Sequence, residues 1–363
     1  MMTVVPVVCT MFFISLLDEG LPVRVPTAIV DLDQSQLSRQ MTRNLDAIQL
    51  AKITRSCESY DQAIDLVRQG EVFGFYVIPR GFQEDVYAGR KPTVNYYSNM
   101  TFFVPGTFSY KGYKSIAVTT AAGMALGSAT QKGLPQNTVE ALVVPVNINI
   151  NPVHNPWTNY SLYLTPSFVF ALVELLIVLV TIMSITYEIK ENTSRLWLSK
   201  AGGSIIVAVT GKLLPQTVIF TVVAWALQAM LYGFAHFPML CPTWVMLMAA
   251  PLFVIACQAF GLLWACIFPS PRLALSFGAL MSILAFSFTG FSFPTENMYG
   301  AIAIFQWIMP VRYYFLIHID QALNGYPLYW SRLWFVMLIV IAFVPALMLW
   351  RLKRAARHPV YVP

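Results

Sequence analysis

The sequence predicts an α-helical polytopic membrane protein with six transmembrane helices, a re-entrant outer segment and an inserted α/β extracytoplasmic domain. Three observations carry this expectation. Of 363 residues, 57% are hydrophobic and 11% charged, with a mean hydropathy of +0.62; soluble domains carry roughly 25% charged residues. The apolar residues gather into runs close to the ~20 residues that cross a bilayer. One block, Asp18–Leu164, is polar and too long to be a connector between spans.

The first apolar run, Thr3–Leu17, is short. A secretory signal peptide has an apolar stretch of about that length. No basic residue precedes this run, and no small-x-small cleavage site stands before Asp18, so it is expected to be the first span.

The polar block alternates strand and helix patterns. Thr27–Asp33, Val72–Ile78 and Pro92–Tyr97 read as strands. Gln34–Leu45, Ser59–Gln69 and Arg80–Ala88 read as helices, the second with Ala63, Ile64 and Val67 on one face. Phe103–Lys132 reads as a long helical region rich in small residues. Such alternation predicts a small α/β domain. Asp31, Asp33, Asp61 and Asp65 lack the spacing of a calcium loop and read as surface acids. The five cysteines form no Cys-x-x-Cys pair, so neither a metal site nor a disulfide framework is expected.

The further spans are Ser167–Thr186, Leu213–Gly233, Thr243–Phe268, Leu273–Phe293 and Leu333–Trp350. Pro215, Pro251 and Pro345 fall within them and are expected to kink helices. Short loops and the tail set the orientation. Lys190, Arg195, Lys200, Lys212, Arg272, Arg351, Lys353, Arg354 and Arg357 share one side, and only Arg312 and Arg332 lie opposite. This bias makes the first side cytoplasmic, with both termini inside and the α/β domain outside. Trp244, Trp330, Trp334 and Trp350 near span ends fit an aromatic belt. Glu174 lies mid-span. An ionisable group there is a candidate for the transport pathway, and the alternative is a carboxyl protonated or hydrogen-bonded between helices.

Between the second and third spans lies a charged island, residues 187–212, holding Glu188, Lys190, Glu191, Arg195, Lys200 and Lys212. Asn192 or Thr193 can cap a short helix with an apolar surface of Leu196, Trp197 and Leu198. The island reads either as a solvated loop with interfacial anchors or as an amphipathic helix that receives a partner protein. Farther on, residues 290–332 are too apolar for a solvated loop and too broken for a straight span. Helical pieces that dip in and return fit better.

Here the chain resembles a known family. Glu188, Lys190, Glu191 and Thr193, followed by Gly211, Lys212 and Pro215, resemble the cytoplasmic loop of ABC-2-type transporter permeases. Asn192 stands where that family usually has Gly, and Asn tolerates the left-handed backbone next best. The run from Val30 to Arg90 resembles the extracytoplasmic domain of the bacterial branch, and Asn151–Pro166 resembles its lead-in to the second span. Gly290, Phe291, Phe293, Pro294, Met298, Pro310, Tyr313 and Gly325 resemble the family's re-entrant element over the outer mouth, with Tyr299 where a Pro is common.

The resemblance implies the permease subunit of an ATP-driven exporter in the bacterial inner membrane, moving a drug, lipid or other amphiphile. ATPase coupling would fall to Glu188, Lys190, Glu191, Thr193, Arg195, Lys200 and Lys212. Gly290, Phe291, Phe293 and Pro294 would form an outer gate. The family's basic helix ahead of the first span is not found, so the chain is expected to begin late. The implied partners are an ATP-binding cassette subunit, a second permease copy or sister permease, a periplasmic adaptor and membrane lipid, with no nucleic acid. No cofactor is expected in the chain itself. It has no Gly-x-x-x-x-Gly-Lys-[Ser/Thr] loop, so ATP would be bound by the partner subunit. His154, His236, His318 and His358 are too scattered for an obvious enzymatic site. The remaining alternative is a membrane-anchored sensor or scaffold that works through its α/β domain.

Overall fold

The structure is a computed structural model that describes residues 2–17, 24–47, 51–88, 90, 92–98, 159–290, 295 and 298–359. It divides into two compact units, Glu19–Val153 and the combination of Met1–Asp18 with His154–Pro363. The helical region expected over Phe103–Lys132 lies outside the described residues.

The first unit is built on a four-stranded sheet. Its strands are β1 (Val25–Asp31), β2 (Ala51–Cys57), β3 (Gly74–Ile78) and β4 (Asn95–Ser98), in the order β2-β1-β3-β4. β1 runs parallel to β2 and β3, and β4 is antiparallel to β3. Because side chains alternate along a strand, β1 serves two cores. Ile29 packs with Met41, Leu45, Tyr76 and Phe82 under α2 (Gln36–Asp46) and α4 (Phe82–Tyr87). Ala28 and Val30 pack with Ala63, Val72 and Phe75 under α3 (Tyr60–Arg68).

Polar side chains set the starts of these helices. Ser35 and Ser59 accept hydrogen bonds from the Ser38 and Gln62 amides at 3.0 and 3.3 Å. Asp31 accepts from the amides of Asp33 and Gln34 and from the Ser38 hydroxyl. Asp33 accepts from the Phe82 and Gln83 amides at 3.0 and 3.1 Å, capping α4, whose own N-cap is Gly81. Burial alone would raise the pKa of Asp33. Hydrogen bonds from Ser35 and the α4 amides outweigh it and hold the carboxyl below its ordinary value.

The second unit is helical. α1 (Val4–Leu16) has 13 residues, about 20 Å at 1.5 Å per residue, short of the roughly 30 Å hydrocarbon core. Then follow α5 (Tyr160–Lys190), α6 (Ser194–Lys200), α7 (Ile205–Gln228, continuing as a π-helix over Ala229–Phe234), α8 (Thr243–Ile267) and α9 (Pro271–Phe288). α10 (Gly300–Ala303) runs into a 3-10 turn, Ile304–Ile308, and α11 (Pro310–Ile317) into a π-helix, His318–Leu323. α12 (Leu328–Phe343) passes through a 3-10 turn, Val344–Met348, into α13 (Leu349–Arg357).

Among the described residues, five helices are long and apolar enough to span a membrane, or six if a bent pair counts as one span. That pair, Gly300–Ile308 with Pro310–Leu323, breaks by 78°, the geometry of either a broken span or a re-entrant loop. α8 is the central helix, 72% of its most apolar window being enclosed. Its Gly261 lets α5 approach, since a Cβ there would meet the Val178 carbonyl at 3.0 Å.

The helix bounds differ from those read in sequence at two places that matter. α7 begins at Ile205, so Gly211 and Lys212 are helical and the connection after α6 is only Ala201–Ser204. α9 ends at Phe288, so the turn begins before Phe291. Pro215 and Pro251 lie inside helices, while Pro345 sits in the 3-10 break.

Candidate functional site

Each end of the helical unit carries a concentration of polar contacts. At one end, α5 closes at Lys190, and Asn192 takes φ 57°. This is the left-handed turn that Asn supports best after Gly. The turn sends the chain into α6. Thr193 is the N-cap, but its hydroxyl does not cap the helix. It donates instead to the Glu188 carboxylate, which also pairs with Lys212 on α7. The Lys212 ammonium lies 5.4 Å from the centre of the Trp197 ring. Glu188 thus ties the end of α5, the start of α6 and the base of α7 together.

Below that tie is a separate core. Ile185, Ile189, Leu198, Ile205, Val209, Leu213 and Leu352 pack together with residues from the end of α8. α6 buries Leu198, half-buries Trp197 and leaves Leu196 58% exposed. Ser194 donates to the Ala356 carbonyl at 3.0 Å, and Arg195 Nε to the Arg357 carbonyl at 2.9 Å. Lys190, Glu191 and Lys200 are exposed, with Lys190 5.2 Å from the centre of the Tyr187 ring. Of the residues picked out by sequence, then, Glu188, Thr193 and Lys212 meet in one cluster. Arg195 turns to α13, and Glu191 and Lys200 remain on the surface.

At the other end, the first turn of α11 is a meeting point. Val311 N–H donates to Glu174 Oε2 at 2.8 Å, from α11 to α5. Glu174 is fully enclosed, and its Oε1 has no hydrogen-bond partner among the described residues. Arg312 donates to the Thr289 carbonyl at 2.7 Å, capping the last turn of α9. Gln228 of α7 donates to Tyr314 Oη at 2.8 Å and to the Met246 carbonyl of α8 at 2.9 Å. One turn of helix is therefore fastened, directly or through Gln228, to α5, α7, α8 and α9.

The two π-helical segments also meet here, through Tyr232 Oη and His318 Nδ1 at 2.7 Å. Gly290 has φ 96°, and a Cβ there would stand 3.3 Å from Arg312. Both the backbone and the space call for glycine. Tyr163 Oη donates to the Gly290 carbonyl at 3.2 Å. Of the expected outer gate, Phe291, Phe293 and Pro294 lie outside the described residues.

Sequence reading missed Ser194, Gln228, Arg312 and Tyr314. Arg312 carried a usable signal, being a cation in an apolar stretch, which is costly unless partnered. Ser194, Gln228 and Tyr314 carry no comparable mark.

These features define a multi-pass helical membrane protein with an amphipathic helix strapped across one end and a bent helix pair clamped at the other. The chain matches the family described as ABC-2 family transporter protein over residues 1–351, and it belongs to that family. A search of curated proteins finds no match. The chain is accordingly a permease, the membrane component of an ABC transporter, and not itself the catalytic subunit. Permeases of this family generally work with an ATP-binding subunit.

Proposed function

We propose that this chain is half of the membrane pathway of an ATP-driven exporter, with α6 as the surface that receives the ATP-binding subunit. The observation that carries this reading is the mounting of α6. Its inner face rests on a core of helix ends, and the Glu188–Lys212 pair and Thr193 hold its start. Leu196, Glu191 and Lys200 are left for a partner. A helix so mounted passes a push to α5 and α7 rather than absorbing it.

Closure of two ATP-binding subunits would bias the bundle between inward- and outward-open packings, through contacts that differ between the two states. The α6 end is then cytoplasmic, and the α/β unit and the α10–α11 hairpin lie outside. The assembly is a dimer with itself or a sister permease in the bacterial inner membrane, and the cargo is an amphiphile such as a drug or lipid. Phe291 and Phe293 would close the outer mouth, and the double change to Ala should then leak while the complex still assembles. Tight closure in an assembled double variant would remove that gate.

The docking experiment is charge reversal at Glu191 and Lys200. It should weaken co-purification with the ATP-binding subunit or detach ATP hydrolysis from export. Unchanged assembly and export would place the docking surface elsewhere.

A further inference from the structure

Three helices outrun a bilayer at the end that carries α6. The candidate spans of α5, α7 and the combined α12–α13 each run 30 residues. At 1.5 Å per residue that is about 45 Å, against a hydrocarbon core of about 30 Å. Their charges put the surplus beside α6: Glu188 and Lys190 on α5, Lys212 on α7, and Arg351, Lys353, Arg354 and Arg357 on α13.

α13 is fastened to α6 at its far end. The last four carbonyls of a helix have no partner within it. Two of those in α13, from Ala356 and Arg357, accept from Ser194 and Arg195 of α6. Leu352 is fully buried in the core beneath α6. Near its start, α13 is tied to the end of α8, where Arg351 Nη2 donates to the Ile267 carbonyl at 3.3 Å. Thus α6 cannot shift without carrying α13 or uncapping it.

What α13 is attached to gives this connection its reach. It joins α12 through the 3-10 turn Val344–Met348, which contains Pro345. A 3-10 stretch inside a long helix is a common place for a hinge. At the other end of α12, Trp334 Nε1 donates to Asp320 Oδ2 at 2.8 Å, and Ser331 Oγ accepts from Gln321 Nε2 at 2.7 Å. Asp320 and Gln321 belong to the π-helix that continues α11, so α12 grips the helix whose first turn Glu174 caps.

We infer that α13 is a second coupling arm. Ser194 and Arg195 are its positioning residues, and displacement of α6 travels through α13 and the Val344–Met348 hinge to α12 and the α10–α11 hairpin. The inference rests on the reading of α6 as the docking helix for the ATP-binding subunit. It adds a route that bypasses α5 and α7.

The test uses the full chain co-expressed with its ATP-binding subunit. Three variants are compared with wild type: Ser194→Ala, which leaves the exposed face of α6 unchanged, Ser194→Ala/Arg195→Gln, and the conservative Ser194→Thr. Hydrogen exchange is followed along α6, α13 and Val344–Met348 on addition of ATP and vanadate. The permease-dependent part of ATP hydrolysis is measured in parallel.

In wild type and Ser194→Thr, exchange should change in α6 and in Val344–Met348 together. In both variants lacking the serine hydroxyl, the complex should still form and the α6 response persist. The response at Val344–Met348 should disappear, and permease-dependent hydrolysis should fall about threefold, a change of the size that single side chains make to coupling. A wild-type response at Val344–Met348 in an assembled Ser194→Ala/Arg195→Gln complex overturns the arm and leaves α6 docking intact. Absence of any α6 response in wild type overturns the docking reading itself, and the arm with it.

Discussion

Replacing Glu174 by Leu or by Gln separates two roles of its carboxyl. Glu174 Oε2 accepts the Val311 amide at 2.8 Å, in a site with no exposure to solvent. Val311 stands in the first turn of α11, where no carbonyl of the same helix can reach its N–H. Leucine removes the acceptor and leaves a buried donor unsatisfied, at about 1–3 kcal/mol. The loss of an ill-solvated carboxyl offsets part of this in global stability, because Oε1 is buried without a partner among the described residues. Global melting is therefore a poor readout, and local opening of α11 is the direct one. At 1.4 kcal/mol per tenfold, Val311–Tyr314 should exchange about 5- to 150-fold faster in Glu174→Leu. Glutamine keeps a carbonyl oxygen that can accept from Val311, so Glu174→Gln should stay within about threefold of wild type. Hydrogen exchange by mass spectrometry on the detergent-purified chain resolves that segment. Wild-type protection in the Leu variant, or equal loss in both, would refute the claim that Glu174 holds the hairpin by capping it.

Other expectations follow from the same contacts. Glu188→Gln should loosen α6 in hydrogen exchange while costing about 1 kcal/mol or less overall, because both partners of the Glu188–Lys212 pair keep about a quarter of their side-chain surface in solvent. Unchanged α6 protection would mean that the buried apolar face alone holds the helix. Asn95 and Arg354 are exposed, and Cys57, Cys241, Cys257 and Cys266 are buried. Cysteines placed at Asn95 and Arg354 should label from opposite sides of the membrane, and labelling from one side would break the proposed topology. Asp33 contributes stability that is full above its unfolded pKa of about 3.9 and fades as pH falls through its lower folded value. Asp33→Asn should remove that acid-side step from the exchange of α4, and an unaltered acid profile would show that another group sets it.

The sequence was most readable where burial follows a simple period. The apolar runs gave the long helices, and Thr27–Asp33 gave most of β1, a strand buried on both faces, with α2 and α3 starting at the serines that cap them. The left-handed turn at Asn192 was expected from the resemblance, since the family usually has Gly there and Asn tolerates that backbone next best. β2 went unread because Ala51–Cys57 is an edge strand, with both ends buried and the middle largely exposed, so neither alternation nor a solid apolar run marks it. The start of α7 at Ile205 was hidden for a different reason. Thr210, Gly211 and Lys212 interrupt the apolar run, so the apolar Ile205–Val209 ahead of them was read with the charged island and not with the helix it begins.

The contacts that fasten the hairpin were the least legible. Glu174 and Val311 are 137 residues apart, and Arg195 reaches a main-chain oxygen 162 residues away. An acceptor that is a backbone carbonyl, or a donor that is a backbone amide, leaves no mark in the residue types. Only the unusual partner shows, as Glu174 did and as Arg312 could have.

The central claim is that the exposed face of α6 receives the ATP-binding subunit. A photo-crosslinking residue placed at Leu196, which is 58% exposed, tests it most directly in the co-expressed complex. A second placed at Trp330, 67% exposed at the start of α12, serves as the comparison. The account predicts a crosslink to the ATP-binding subunit from position 196, altered in yield by ATP with vanadate, and none from position 330. An assembled complex that crosslinks from position 330, or never from position 196, would contradict it.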